Sequence, residues 1–418
     1  MAQRTSLLRR WVIVGLALWL TATGGARGEE PLGSLVIVGG ALRFQNTPVW
    51  SRIVELAGGK GTSIAVFPTA SRNPERNGNR VVELLNGLGA AAFLVPLATE
   101  NIAVDYRQVA ADREIAARVE AAGGVFFLGG EQSRIVRALR TADGANTPLL
   151  DAVWKVFQKG GVVSGTSAGA AIMSRIMCRD IPKVFSALQN GVGMGREIDN
   201  GLGFMNPAWF VDQHCLIKGR FARALAIMHA RGFRYGIGVD ENTALVVRQN
   251  KVVDVIGYKG AIVLDLSRAT TDTTVGGFNL KNARLTYLDH GDAIDLETLA
   301  VTPSQEKRDD EKLDPQAATF KPYYNETMVV NDILGNSAMP DLLYKLIDNR
   351  KDEAIGLAFD GLAARRERSP GFEFRFSRDQ ETVGWYTESF GSEDYTVVNV
   401  RLDVRPVTMA GPLYEATE

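Results

Sequence analysis

A serine between two glycines is the first place in the chain where residue types and spacing could support chemistry. Residues 165–169 read GTSAG, with Ser167 at the centre, between the apolar run 161–163 and the small, apolar stretch 170–173. This G-x-S-x-G pattern predicts a nucleophile elbow, because glycines permit the sharp strand-to-helix turn that exposes a serine hydroxyl. The alternative interpretation is a glycine-rich turn with an incidental serine.

A serine nucleophile requires a base that removes its proton and an acid that orients the base. The chain has three histidines, and we predict that His214 is the base, although a structural histidine is the alternative. The acid should follow a buried strand, and the run 235–239 is followed by Asp240 and Glu241. The residue pattern leaves the choice between these two carboxylates open.

Backbone N–H groups next to the serine could stabilise an oxyanion. We predict that the N–H of Ala168, directly after the nucleophile, is one donor, and that the N–H of Gly130 or of its neighbour is the other. Gly130 ends another apolar run, so it should lie near Ser167 if both runs are strands of one sheet. The double glycine at 129–130 also fits a plain tight turn.

Short apolar runs alternate with helix-like segments over the first half of the chain. The alternation predicts right-handed βαβ units and therefore an α/β fold: a doubly wound, mostly parallel sheet with helices on both faces. Functional residues should then gather at the carboxyl ends of the strands. The predicted strands lie within residues 35–40, 63–68, 91–96, 125–130 and 161–164, and the predicted helices are 80–88, 112–122, 132–139 and 149–158.

The pattern changes after residue 243. Runs at 244–247, 252–256, 261–264 and 283–288 predict antiparallel strands that complete a catalytic domain over residues 29–303. The charged segment 304–312 is the predicted linker, and residues 304–418 are predicted to form a C-terminal α+β extension of unknown role. This extension should contain a helix near 340–348 and strands near 371–377 and 395–404.

Composition and the N-terminus limit the classes of function. The net charge of −1 provides no overall field that would attract nucleic acid or an anionic membrane. Residues 1–28 have the layout of a signal peptide, which predicts a secreted or periplasmic protein without a membrane span after cleavage; an uncleaved anchor is the alternative. Cys178 and Cys215 are expected to be buried free thiols, and a disulfide between them is the alternative. Histidines and cysteines lack metal-ligand spacing, so we predict no metal, and we predict no cofactor.

Five segments together resemble the cyanophycinase family of serine exopeptidases, whose fold is similar to that of class I glutamine amidotransferases. The segments are Gly129-Gly130-Glu131-Gln132, residues 165–170, Asp212-Gln213-His214, Gly219-Arg220 with Arg223, and residues 238–244. The resemblance implies that Ser167 is the nucleophile, His214 the base and Glu241 the acid. It also implies a substrate-binding pocket, formed by Gln132, Asp212, Gln213, Lys218, Arg220 and Arg223.

The resemblance implies a peptide polymer as the substrate. Cyanophycin is a poly-aspartate with arginine on each β-carboxylate, and cyanophycinases release β-aspartyl-arginine. Asp212 could bind the guanidinium of such a unit, and Arg220 and Arg223 could bind its carboxylate. Lys218 and Glu131 depart from the family pattern, where we expect arginine and aspartate. Other β-aspartyl peptides therefore stay open as substrates. The sequence also leaves open whether the protein forms a homodimer.

Two alternative functions remain at the level of sequence. One is an α/β-hydrolase such as an esterase, whose order of serine, acid and histidine would be met by Ser167, Glu241 and His290. The other is a secreted binding protein that keeps the peptidase fold without catalysis and uses the extension as its interaction module. The intact serine, histidine and glutamate argue against the second alternative.

Overall fold

Parallel strands alternate with helices at the start of the structure. The computed structural model describes residues 33–100, 104–361, 367–391 and 393–412. The predicted signal peptide, residues 1–28, lies outside the described residues. The first strands are β1 (Ser34–Val38), β2 (Ser63–Phe67), β3 (Ala91–Leu94), β4 (Gly124–Phe127) and β5 (Val162–Thr166). The helices are α1 (Thr47–Leu56), α2 (Pro74–Gly87), α3 (Tyr106–Ala111), α4 (Arg113–Glu120), α5 (Gln132–Leu139), α6 (Pro148–Gln158) and α7 (Ala168–Ala171).

The middle of the chain is richer in antiparallel strands, as the sequence predicts. The elements are β6 (Ile176–Cys178), α8 (Val184–Asn190), β7 (Ile198–Asn200), β8 (Trp209–Gln213), α9 (Phe221–Arg231), β9 (Tyr235–Val239), β10 (Thr243–Arg248), β11 (Val252–Gly257), β12 (Ala261–Asp265), β13 (Leu280–Leu288), β14 (Ala293–Asp295) and β15 (Val301–Thr302). Strands β10 and β11 pair antiparallel, and so do β12 and β13.

The extension after residue 303 contains both helices and strands. They are α10 (Gln305–Asp309), β16 (Glu311–Leu313), β17 (Met328–Val330), α11 (Ala338–Ile347), β18 (Glu353–Phe359), β19 (Arg368–Ser377), β20 (Val383–Thr387) and β21 (Asp394–Ala410). The helix and the two strands that the sequence predicts for this region correspond to α11, β19 and β21. The described residues contain no helix with the length and apolar character of a membrane span.

The first sheet confirms the predicted fold class. Its nine strands have the order β15-β14-β11-β10-β1-β5-β4-β2-β3, and β1 to β5 are parallel. Alternate residues of β1 face opposite layers: Leu35 and Ile37 pack into the core shared with α4 and α6, whereas Val36 and Val38 pack into the core shared with α1 and α2. Helices therefore cover both faces, as expected for buried parallel strands.

The second sheet joins the extension to the catalytic part of the chain. Its main order is β17-β18-β19-β21-β13-β12-β9-β8, with β8 and β9 parallel. Ile262 and Leu285, which precede residue 303, share one hydrophobic core with Phe374 and Leu402, which follow it. The predicted boundary at 303 therefore does not separate two hydrophobic cores.

The charged segment 304–312 is not the linker that we expected. It contains α10, and Lys307 in this helix is fully buried with its ammonium 3.1 Å from both carboxylate oxygens of Asp292. The Thr396 hydroxyl also donates to Asp292, at 2.6 Å. A buried charge is tolerated when it is paired and hydrogen-bonded, which a count of charged residues along the chain cannot reveal.

Replacing Lys307 should destabilise the whole described unit. Lys307→Met leaves the Asp292 carboxylate buried without its counter-ion, which typically costs about 3–5 kcal/mol. We expect a decrease of this size in the free energy of unfolding, measured by urea denaturation. Lys312→Met is the matched control, because Lys312 pairs with Asp314 in solvent, 55% and 33% exposed, where such pairs contribute less than about 1 kcal/mol. An equal decrease in the free energy of unfolding of the two variants would contradict this prediction.

Candidate active site

Ser167 occupies a strained turn between β5 and α7. Its φ of 53° and ψ of −105° lie outside the conformations that non-glycine residues ordinarily adopt. From the sequence we expected the neighbouring glycines to permit the sharp turn itself. In the structure they instead allow neighbouring backbone segments to approach closely, because they lack a Cβ. A Cβ on Gly165 would lie 2.6 Å from the backbone of Gly169, and a Cβ on Gly169 would lie 2.4 Å from the Phe127 carbonyl oxygen.

Ser167, His214 and Glu241 form a hydrogen-bonded series. The Ser167 Oγ lies 2.9 Å from His214 Nε2, and His214 Nδ1 lies 2.5 Å from Glu241 Oε1. The structure thus selects Glu241 from the two carboxylates that the residue pattern left open. The glutamate fixes the ring so that Nε2 faces the serine, an arrangement that permits Nε2 to accept the hydroxyl proton.

Asp240, the other carboxylate after β9, has a structural position. Its Oδ1 accepts hydrogen bonds from the backbone N–H groups of Leu216 and Ile217, at 3.2 and 3.1 Å, and Lys259 lies 3.3 Å from its Oδ2. Asp240 therefore holds the loop that follows His214. Successive residues at the end of a strand face opposite ways, so one carboxylate faces the histidine ring and the other faces its loop.

The three side chains come from both sheets. Ser167 follows β5 of the first sheet, His214 follows β8 of the second, and Glu241 lies in the connection from β9 to β10. Gly39 and Gly40, directly after β1, join these segments: the His214 N–H donates to the Gly39 carbonyl and the Asn242 N–H donates to the Gly40 carbonyl, both at 2.8 Å.

His290 does not take part in this series. Its ring meets Phe390 edge to face, with centroids 5.0 Å apart, and its backbone N–H donates to Asp289. Because His214 already occupies the hydrogen-bonding position next to both Ser167 and Glu241, the esterase-type series with His290 is contradicted by the geometry.

The environment of His214 favours its neutral form. Burial lowers the pKa of the imidazole below its ordinary value of 6.5, and the cations Arg220 and Lys218 lower this pKa further, against the opposing effect of Glu241. A neutral imidazole is the form that can accept a proton from serine. The histidine is therefore in the form required of a base at neutral pH.

Ser167 and His214 line a cavity of about 350 Å³ whose charge is mainly positive. Most of the predicted pocket residues line it as well. Asp180 is the carboxylate residue in this lining, against four cationic side chains. The lining residues are Gly130, Gln132, Ser167, Cys178, Arg179, Asp180, Ile181, Pro182, Gln213, His214, Lys218, Arg220 and Arg223.

Asp212 does not present its carboxylate to this cavity. It is 1% exposed, and its oxygens accept from Arg223 Nε at 2.8 Å and Arg223 Nη2 at 2.5 Å. The sequence suggested that Asp212 could bind a substrate guanidinium, but Arg223 already occupies that position. Asp212 instead orients Arg223. Burial by itself lowers the Arg223 pKa, but the charge of Asp212 outweighs it together with the other nearby groups, so the pKa lies above its ordinary value.

Two glutamine side chains organise the cavity wall. Gln213 accepts from Arg220 Nη1 through Oε1, at 2.8 Å, and through its backbone oxygen, at 3.0 Å. The Gln132 amide donates to the carbonyl oxygens of Cys178 and Arg179, at 2.7 and 2.8 Å. These contacts orient Arg220 and hold the segment that carries Asp180.

The predicted oxyanion donors lie on either side of the serine. Ala168 is the first residue of α7, directly after Ser167. Gly129 packs against Ser167, since a Cβ on Gly129 would lie 3.8 Å from the Ser167 Oγ, and Gly130 lines the cavity. Ala168 and Gly130 are therefore neighbours of the serine in the structure, and the role of their N–H groups as oxyanion donors stays a prediction.

Cys178 and Cys215 are buried free thiols, which confirms the expectation from the sequence. Burial raises the pKa of Cys178 to about 11 and also raises the pKa of Cys215. Both therefore remain protonated and are poor nucleophiles at neutral pH. Among the residues that the structure describes, no group of three or more His, Cys, Asp or Glu side chains is placed to hold a metal ion.

Two features of the site were not predicted from the sequence. The first is the contact of Gly39 and Gly40 with the histidine loop. The sequence contained a signal for it, because this double glycine ends an apolar run, as the double glycine at 129–130 does. Arg179 and Asp180 line the cavity without any local motif. They reach it because β6 pairs with β7 and Gln132 binds the segment, contacts that link residues far apart in the chain.

A serine, a histidine and a carboxylate in hydrogen-bonded series on an α/β scaffold define the class of serine hydrolases. The model of peptidase family S51 matches residues 35–255, and the chain belongs to this family, the cyanophycinase family of serine peptidases. It is therefore a serine-type peptidase.

Curated relatives match most of their own length. A cyanophycinase of Geminocystis herdmanii is 32% identical over 273 residues, which are 63% of this chain and 94% of that protein. A cyanophycinase of Trichormus variabilis is 27% identical over 278 residues, 65% of this chain and 88% of that protein. The structure of a peptidase from an acI-B1 Actinobacterium matches with a TM-score of 0.47 and 21% identity, covering 64% of this chain and 98% of that one.

Gly40→Ala should displace the histidine ring. A Cβ at Gly40 would lie 2.2 Å from His214 Cε1 and 2.3 Å from Nε2, and Gly40 has a φ of +117°. Because small misplacements of a catalytic group can cost about 10²-fold in rate, we expect fluorophosphonate labelling of Ser167 to slow by that order.

Gly59→Ala is the matched control for this substitution. Gly59 also has a positive φ, +82°, but a Cβ there meets nothing within 4 Å, so the control carries the backbone strain without the collision. Labelling of Gly59→Ala should stay within about twofold of the wild-type rate. Equal labelling of wild type and Gly40→Ala, with circular dichroism unchanged, would show that the glycine does not position His214.

Proposed function

We propose that the protein is a secreted or periplasmic serine exopeptidase. It hydrolyses cyanophycin, or related β-aspartyl peptides, to dipeptides of the β-Asp-Arg type through an acyl-enzyme. The observation that carries this proposal is the series Ser167, His214 and Glu241 opening into a cationic cavity. The cyanophycinases of Geminocystis herdmanii and Trichormus variabilis support the choice of polymer.

The proposed mechanism uses only groups of the protein and water. His214 Nε2 accepts the proton of Ser167 as Oγ attacks the backbone carbonyl next to the terminal unit, and Glu241 stabilises the imidazolium that forms. The N–H groups of Ala168 and Gly130 stabilise the oxyanion. His214 then gives its proton to the leaving amine. A water molecule, deprotonated by His214, cleaves the acyl-enzyme and restores the serine.

The charges of the cavity fit a unit that carries a free carboxylate. Asp212 uses Nε and Nη2 of Arg223, so Nη1 is the nitrogen of that guanidinium outside the pair. Arg220 binds Gln213 through Nη1 and keeps Nε and Nη2 outside this contact. Two oriented guanidinium groups beside Ser167 can bind the carboxylate of the unit to be released, and the ammonium of Lys218 adds to the positive potential.

Digestion of cyanophycin tests the proposal directly. Purified protein should release β-Asp-Arg from cyanophycin and should not degrade unmodified poly-aspartate, with products identified by mass spectrometry. Ser167→Ala and His214→Ala should lower kcat by roughly 10⁴-fold or more, because the series acts as a unit. His290→Ala is the matched histidine control and should retain activity.

Two further outcomes bear on this experiment. Products of other lengths, or loss of activity in His290→Ala together with activity in His214→Ala, would contradict the proposed reaction.

The cellular location rests on the signal-peptide pattern of residues 1–28. N-terminal sequencing of the protein recovered outside the cytoplasm should show that the mature chain begins after this segment. A mature chain that still carries the segment would contradict the proposed export.

The pH dependence should reflect the lowered pKa of His214. The base must be neutral, so labelling of Ser167 by fluorophosphonate should decline on the acid side with a midpoint below the ordinary histidine value of 6.5. Lys218→Met removes a cation that lowers this pKa, so the midpoint should move upward. Lys251→Met is the control, since Lys251 lies near Glu297 and lines no part of the cavity. An unmoved or lowered midpoint in Lys218→Met would contradict the electrostatic argument.

A further inference from the structure

A second cavity of about 680 Å³ adjoins the catalytic one. The two cavities share Gly130, Gln132, Arg179 and Asp180 in their linings. Ser167 and His214 line only the smaller cavity, whereas Arg72, Glu131 and Arg134 line only the larger one. The larger cavity therefore adjoins the site of chemistry and has five lining residues of its own, and the proposed function assigns it no role.

We propose that this second cavity binds the unit of the substrate next to the one that is released. Asp180 binds the guanidinium of that neighbouring unit and Arg72 binds its free carboxylate. The inference rests on the proposed function, since it concerns the same reaction, and it names two specificity-determining residues outside the catalytic series.

The partners of the charged groups indicate which of them are available to a ligand. Arg134 lies 2.9 Å from Glu131 and 3.3 Å from Glu100, and Glu131 also accepts from Ser133 at 2.7 Å. These residues neutralise one another. Over the described part of the chain, by contrast, neither the Arg72 guanidinium nor the Asp180 carboxylate has a side-chain hydrogen bond or ion pair. Arg179, the other cation of this lining, already donates to the Gly195 carbonyl at 2.6 Å and lies 3.8 Å from Asp199. Arg72 and Asp180 are both exposed, so one cation and one anion remain for a ligand.

The segment that carries Asp180 is held in place. Gln132 donates to the carbonyl oxygens of Cys178 and Arg179, and the N–H groups of Arg179 and Asp180 donate to the Glu197 carbonyl at 2.8 and 3.3 Å. Elsewhere in the lining, the Glu131 N–H donates to the Ala70 carbonyl at 2.9 Å, two residues before Arg72. Backbone contacts thus fix both walls before a ligand binds, which reduces the entropy cost of binding.

Gly130 relates the second cavity to the scissile bond. It lines both cavities, and its N–H is a proposed oxyanion donor, so a carbonyl bound there lies where the cavities meet. The peptide units on the two sides of that carbonyl then point into different cavities. The catalytic cavity, with Arg220, Arg223 and Lys218, fits a carboxylate, whereas the mixed charge of the second cavity fits a unit that carries both a guanidinium and a carboxylate.

Substrates altered in one unit test this assignment. Three two-unit β-Asp-Arg substrates differ only in the unit that neighbours the released one: unmodified, with citrulline in place of arginine, and with the arginine carboxylate amidated. Citrulline removes the positive charge and the amide removes the negative one. We expect wild-type kcat/KM to fall roughly tenfold for each altered substrate, as for the loss of one charge-assisted contact.

Two variants should lose one preference each. Asp180→Asn should no longer distinguish arginine from citrulline, and Arg72→Met should no longer distinguish the free acid from the amide. Arg76→Met, an exposed arginine of α2, is the matched control and should keep both preferences. Because each preference is a ratio within one variant, it does not depend on the fraction of folded enzyme.

The possible failures are distinguishable. If the wild-type protein releases no β-Asp-Arg from the unmodified substrate, the proposed function is wrong. If it releases the dipeptide but Asp180→Asn and Arg72→Met keep the wild-type preferences, only the assignment of the second cavity is wrong. The assignment is also wrong if the wild-type protein accepts all three substrates equally.

Discussion

The close approach of Gly39 and Gly40 to the loops after β8 and β9 is the constraint on which the site depends. A Cβ on Gly39 would lie 2.0 Å from the Asp240 carbonyl oxygen, and a Cβ on Gly40 would overlap the His214 ring. Backbone hydrogen bonds from His214 and Asn242 cross the same contact. Since Ser167 follows a strand of the first sheet and His214 follows a strand of the second, this contact sets the distance between the serine hydroxyl and the imidazole.

The extension contributes to that constraint from the other side. Gly219, close behind the histidine, has a φ of +58°, and a Cβ there would lie 2.4 Å from the Leu334 carbonyl oxygen. The Ser337 N–H donates to the Leu216 carbonyl at 3.3 Å. The loop that bears Lys218 therefore packs between Asp240 and the extension. Residues after 303 complete the second sheet and support the histidine loop, which gives the extension a structural role next to the site.

Local patterns predicted what depends on local chemistry. The GTSAG turn at Ser167 and the strand ends at Gly130 and Glu241 follow from residue type and from the rule that parallel strands expose their carboxyl ends. What the sequence could not indicate are pairings between distant charges. Asp212 looked like a ligand for a substrate guanidinium because its partner, Arg223, lies in the next helix of the chain. The sequence does not show that the two side chains meet. The charged segment around Lys307 looked like a linker because Asp292 is its partner only in the folded chain.

Lys218 and Glu131, which we expected to depart from the family pattern, line different cavities. Lys218 lines the catalytic cavity, where two guanidinium groups are already oriented by Gln213 and Asp212, so a lysine supplies charge without having to supply a planar fork. Glu131 lines the second cavity instead, where it pairs with Arg134. Its longer side chain reaches that arginine and neutralises it, which leaves recognition of charge in this cavity to Arg72 and Asp180. Lys218 and Glu131 therefore bear on different cavities of the site.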